Sequence, residues 1–168
     1  MKRILAALLI LCLALPLCAG ATRTRITSYT EVEWDAVNAV LLSLDDRVQA
    51  EGIGSLTADE RLLYIAISYN GLMLSGGLVS VMLYMEPEEV ADIPAALRFV
   101  GAEEHAARFE AFMAETGCSP AALNMLEFLG PSLIRALYPI DPFDDAFIAL
   151  DEEHALTTLI FHNLPTIA

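Results

Sequence analysis

Residues 57–78 read TADERLLYIAISYNGLMLSGGL, and their reading sets the fold class. Thr57 followed three residues later by Glu60 is a capping box, in which the hydroxyl accepts from the Glu60 N–H while the glutamate reaches back to the N–H of Thr57. Leu62, Leu63, Ile65 and Ala66 then carry a helix toward Leu74. Ser75-Gly76-Gly77 ends it, because adjacent glycines lack β-carbon restraint and permit a sharp reversal between buried helices.

The residues on either side follow the same grammar. Upstream, Thr30 with Glu33 is a second capping box, and Val37, Val40, Leu41, Leu44 and Val48 share one face, which predicts a helix over about 31–50 stopped by Gly52 and Gly54. Downstream, residues 78–85 are apolar nearly all round, the mark of a helix buried on most sides. Pro87 opens the next helix within an acidic turn, where carboxylates complement the helix dipole, and Pro94 is expected to divide it before Gly101. Ala102, Ala106, Phe109 and Met113 form the core stripe of a helix ending at Gly117. Ser119 and Pro120 open another, through Leu123, Leu126 and Phe128 to Gly130. A short helical turn over 132–138 leads to Pro139 and Pro142, and one long final element is expected over about 143–163, closed by Pro165. Strand-like alternation is nowhere sustained. The chain reads as all-α, a single multi-helix domain.

The first residues belong to a different class. Lys2 and Arg3 precede an apolar run over 4–17 that ends in Ala19-Gly20-Ala21, the pattern of a secretory signal peptide cleaved after Ala21. The run is shorter than the roughly 20 residues a bilayer core asks for, so no membrane span is expected after cleavage. Lipoprotein processing at Cys18 fits less well, since Leu17 stands where a small residue should precede the lipidated cysteine. The expected organisation is a leader over 1–21, an N-terminal helix within 22–56, the main domain over 57–163 and a tail over 164–168. The destination is the periplasm or the exterior.

Of 168 residues, 23 are acidic and 9 basic, a net charge of −14, while 56% are apolar. Such a chain can bury a core, which excludes a disordered acidic tail. Removing residues 1–21 takes away Lys2 and Arg3 and leaves 7 arginines against 23 acids, a charge of −16 over 147 residues. That surface repels nucleic acid, because each phosphate approach would add like charge instead of releasing counterions. It favours a basic partner or a divalent cation, or serves solubility alone. Cys12 and Cys18 leave with the leader, so Cys118 stands alone and no intrachain disulfide forms in the cleaved chain.

Two constellations invite chemistry. Glu103-Glu104-His105-Ala106 recurs as Glu152-Glu153-His154-Ala155, with Asp151 three residues before His154, the spacing of helical carboxylate–histidine metal ligands. The first copy lacks the matching acid because position 102 is alanine, and both histidines adjoin apolar stripes, so edge-of-core imidazoles are the competing reading. Cys118 precedes a helix start and could pair with His105, His154 or His162 as a thiol nucleophile, or simply pack. Serine-hydrolase, P-loop and dinucleotide motifs are absent. Asp141, Asp144 and Asp145 lack the order of a calcium loop and read as acids at a helix start. These residues point to a non-enzymatic domain without a cofactor. A protein partner, basic in character, would meet the clusters Glu86, Glu88, Glu89 and Asp151, Glu152, Glu153. A homodimer is a further expectation, and a metal-dependent or thiol enzyme the alternative.

Glu60-Arg61-Leu62-Leu63-Tyr64, then Ser75-Gly76-Gly77-Leu78, then the run over 95–102, AALRFVGA, resemble a bacterial all-helical domain family of unknown function that includes a DNA-mimic protein. The resemblance spans roughly 57–163. Members carry N-G-G-F followed by a glutamine and aromatics; here Ser75 and Leu78 replace the asparagine and phenylalanine, and Ser80, Val81 and Met82 fall where the glutamine and aromatics would be. The backbone role of Gly76 and Gly77 carries over, whereas polar recognition by the missing amides does not. In the DNA mimic, acidic side chains on a dimer stand in for phosphates on a transcription factor. The resemblance implies that activity for a cytoplasmic chain, and an exported chain would not meet such a target.

Overall fold

The computed structural model describes residues 30–118 and 130–164. Among these residues it contains eight α-helices and no strand: α1 (Glu31–Glu51), α2 (Ala58–Gly76), α3 (Leu78–Tyr84), α4 (Pro87–Phe99), α5 (Glu103–Thr116), α6 (Pro131–Leu137), α7 (Ile140–Glu153) and α8 (Leu156–Asn163). The expected leader, the helix opened by Ser119 and Pro120, and Pro165 lie outside the described residues.

Both capping boxes form. Thr30 accepts from the Glu33 N–H and Thr57 from that of Glu60, and each glutamate accepts from the N–H of its threonine. Arg47 of α1 meets Glu60 and also donates to the Ser55 carbonyl at 2.9 Å, closing the corner between α1 and α2.

The second helix, α2, is the centre of the fold and packs against α1, α3, α4 and α8. It buries Leu63, Ile65, Ala66, Ile67, Tyr69, Leu72 and Met73, on more than one face, as its nearly unbroken apolar sequence demands. Around it, α5 packs on α4 and α7, while α6 and α7 both touch α3. An edge-to-face aromatic layer joins α2, α5 and α7: the Tyr69 ring meets Phe109 at 5.8 Å and Phe147 at 6.1 Å, and Phe143 meets Phe112 at 5.0 Å.

Two sequence expectations need correction. Pro94 does not divide its helix; α4 runs continuously from Pro87 to Phe99. The proline removes one N–H and crowds one carbonyl, but Val90, Ile93, Ala96 and Leu97 are buried on both sides of it, and their packing holds the helix through. The final element is two helices, not one beginning at Phe143. The first starts at Ile140, because Pro142 in its opening turn lacks only an N–H that has no intrahelical acceptor there. It ends at His154, whose backbone is non-helical at φ −138° and ψ 78°. Asp151 Oδ1 accepts from the Leu156 N–H at 2.8 Å, so a buried carboxylate of α7 caps α8.

Candidate functional site

The glycine pair between α2 and α3 is a built junction. Gly77 has φ +71°, and a β-carbon there would run into the Asp144 carboxylate; one at Gly76 would run into the Ser80 hydroxyl. Asp144 reaches from α7 to accept from the Leu78 N–H at 2.8 Å, which satisfies a first-turn donor of α3 and fixes α7 against the junction. Ser75, where the family pattern has asparagine, donates to the Leu72 carbonyl of its own helix at 3.0 Å, and Leu78 is buried.

Beside this junction lies a shallow depression of about 290 Å³. The end of α2 forms one wall, Phe147 and Ile148 another, and Asp144 and Arg135 bring opposite charges to it. Burial raises the Asp144 carboxyl above the ordinary aspartate value, against the pull of the Leu78 N–H and of Arg135. Arg135 pairs with Asp141 and stands 3.8 Å from Asp144.

The six acids expected to meet a partner fall into two groups. Glu88, Glu152 and Glu153 are exposed and Glu86 is half-buried. Glu89 and Asp151 are buried and serve the fold: Glu89 accepts from the Glu86 N–H at 2.9 Å in a third capping box, and Asp151 caps α8. Their acidity in the sequence reflects helix starts, not a contact surface.

The two histidine-bearing segments do meet, though not as a pair of imidazoles. Nε2 of the buried His105 faces the backbone carbonyl of His154 at 3.4 Å, while the His154 side chain is exposed. Burial pushes the His105 imidazole below its ordinary value, the His154 carbonyl pulling the other way. No group of three or more His, Cys, Asp or Glu side chains among the described residues is gathered as metal ligands would be. Cys118 is buried, and burial pushes its thiol up, away from the thiolate a nucleophile needs, with Tyr138 as its hydrogen-bonding neighbour. His162 is exposed on α8, its ring edge-on to Phe161.

Sequence reasoning missed a buried polar layer joining α2 and α5 to the α7–α8 joint. Asn70 Nδ2 donates to Thr157 Oγ1 at 2.8 Å with both side chains inside the core. Asn70 Oδ1, the Tyr69 hydroxyl and His105 Nδ1 are buried with no hydrogen-bond partner among the described residues. An asparagine within an apolar helix sequence, Tyr69-Asn70 between Ile67 and Leu72, was the available signal.

Electrostatically, the fold pairs most of its own cations. Arg47, Arg61, Arg98 and Arg135, four of the five arginines among the described residues, each meet an acid: Glu60, Asp92, Glu110 and Asp141 respectively. Glu104, Glu115, Glu152 and Glu153 remain on the surface of the scaffold they belong to. No helix among the described residues is long and apolar enough to cross a membrane.

No curated protein and no solved structure matches this chain. A family model does, over residues 54–163, which takes in every described helix from α2 to α8 together with the glycine pair and its depression. The chain belongs to the DMP19-like protein family.

Proposed function

We propose that this chain is an exported, non-enzymatic helical module whose acidic surface binds a basic protein. One observation carries the reading: four of the five arginines among the described residues are already matched to acids of the fold, so most of the remaining carboxylates form a negative coat with little compensation. Such a coat attracts positively charged protein surfaces and repels phosphate backbones. Burial of the Cys118 thiol, and the use of His105 against a backbone carbonyl, support a structural role for the residues an enzyme would have needed.

A pulldown from envelope extract tests it. Basic proteins are retained at low ionic strength and released at high salt, because screening weakens exposed charge attraction. Retention of nothing at low salt contradicts the reading. Family membership brings a second reading, mimicry of DNA in the cytoplasm by a chain that keeps its first residues. N-terminal sequencing of the cellular protein separates the two: Thr22 as the first residue supports export, and Met1 in a cytoplasmic fraction supports mimicry.

A further inference from the structure

We propose that the contact between His105 and the α7–α8 joint is an acid-sensitive latch: when the imidazole takes up a proton its ring leaves the core, and the turn over 154–156 opens while α8 stays seated on α1. The ring is 2% exposed and packs edge-on against Phe147 at 5.2 Å. Its Nε2 faces the His154 carbonyl at 3.4 Å, and Nδ1 is buried with no hydrogen-bond partner among the described residues. A neutral imidazole fits that seat, with its one N–H on Nε2 for the carbonyl and Nδ1 as a bare acceptor. A cationic ring does not, because the second proton makes Nδ1 a buried donor with nothing to receive it.

The groups around the ring do not repair this. Burial is the largest influence and disfavours the cation. On its own helix the exposed Glu104 favours the proton and the exposed Arg108 opposes it, as does His154 at the joint. Asp151, the buried acid of the joint, gives an oxygen to the Leu156 N–H. From α2, Tyr69 packs on the same Phe147 ring, its buried hydroxyl equally without a partner among the described residues. On α4, which also packs on α5, Arg98 is turned to Glu103 and Glu110.

The chain beside the ring is where the fold gives way. His154 has φ −138° and ψ 78°, and Ala155 has φ −54° and ψ 118°, so neither continues a helix. Side chains hold the turn from outside: Asp151, His105 and the Asn70–Thr157 pair. The far end of α8 is anchored differently. Asn163 donates to the Val100 carbonyl at 3.1 Å, and the exposed His162 attracts Glu33 of α1. Charging His162 strengthens that attraction, so acid loosens the start of α8 and tightens its end. Opening uncovers Phe147, Ala155 and Leu156, all buried in the closed form.

In an open joint the imidazole binds its proton near the ordinary value of 6.5, and in the closed one less readily, so opening takes up a proton and is favoured as pH falls. Amide hydrogen exchange, followed by NMR from pH 6.5 to about pH 5 and corrected for intrinsic rates, tests the latch. The opening equilibrium at the amides of His154, Leu156 and Leu159 should exceed that at Ile65 and Tyr69 of α2, and should rise about tenfold over that range. His105→Gln keeps an N–H for the carbonyl but has no proton to take up, and its joint should open equally at both ends of the range. His154→Gln and His162→Gln, at exposed positions, should keep the rise; its loss in either overturns the latch. If His105→Gln fails to fold, the unaltered chain still decides. Joint opening equal to that of α2, which marks global unfolding, or joint opening that does not change with pH, overturns the latch.

Discussion

The corner between α1 and α2 and the joint between α7 and α8 turn the chain by opposite means. At the corner the connections are local and wet: the Thr57–Glu60 capping box spans three residues, and the Arg47–Glu60 pair lies at the surface. At the joint they involve buried side chains, and two of the three are distant in sequence. Asp151 caps Leu156, His105 faces the His154 carbonyl across 49 residues, and Asn70 meets Thr157 across 87. The glycine pair belongs with the joint, since Asp144 reaches Leu78 across 66 residues. A polar contact removed from water matters in proportion to what is left unsatisfied when it breaks, so the two regions should respond differently to the same kind of insult.

The largest effect is expected at the glycine pair. Gly77→Ala forces a β-carbon onto a backbone at φ +71° and into the Asp144 carboxylate, which displaces the cap on α3. Backbone strain and the lost cap together predict a loss of about 3 kcal/mol in chemical denaturation. Thr157→Val comes next: it leaves the Asn70 amide without its buried acceptor and should cost about 2 kcal/mol. A loss as small as that of an ordinary surface substitution would mean that the buried layer does not hold the joint.

Acid sharpens the contrast, because the two regions titrate in separate windows. His105 binds its proton less readily folded than unfolded, so unfolding takes up a proton. Its contribution to stability is complete above the ordinary histidine value of 6.5 and declines as pH falls below it. His105→Gln, which keeps a donor for the His154 carbonyl, should flatten that slope in thermal melts across pH 5–7. Glu60 is held down to about 2 by Arg47 and by Thr57, so its contribution is complete above the ordinary glutamate value of 4.5 and lost as pH falls from there toward 2. The smallest effect is Arg47→Gln, a minor fall in melting temperature that high salt reduces, since the pair is only half-buried.

The same division explains what could be read in the sequence. Both threonine capping boxes are set by residues three apart, and Gly52 and the glycine pair end their helices through their own backbone freedom, so all four were legible. Pro94 was misread because a local rule gave way to packing on both sides of it. The break at His154 was missed because Asp151, three residues before it, reads in sequence as a metal-ligand spacing and not as a cap, and the imidazole that meets the His154 carbonyl is 49 residues away. The repeated Glu-Glu-His-Ala did flag two segments that touch, though the contact runs through a backbone carbonyl. At the candidate site, the glycine pair was visible as a motif. Its depression was not, since only the tertiary fold brings Arg135, Asp144 and Ile148 beside residues 73–77. Glu89 and Asp151 show the converse: acids read as surface that are buried caps.

In the proposed function the negative coat itself recruits the partner. It is tested most directly by comparing what the chain and its Glu88→Lys, Glu152→Lys, Glu153→Lys variant retain from envelope extract at low salt, all three positions being exposed. Basic proteins held by the unaltered chain should be lost on charge reversal while the melting temperature stays nearly unchanged. Retention of the same proteins by the reversed chain would contradict it.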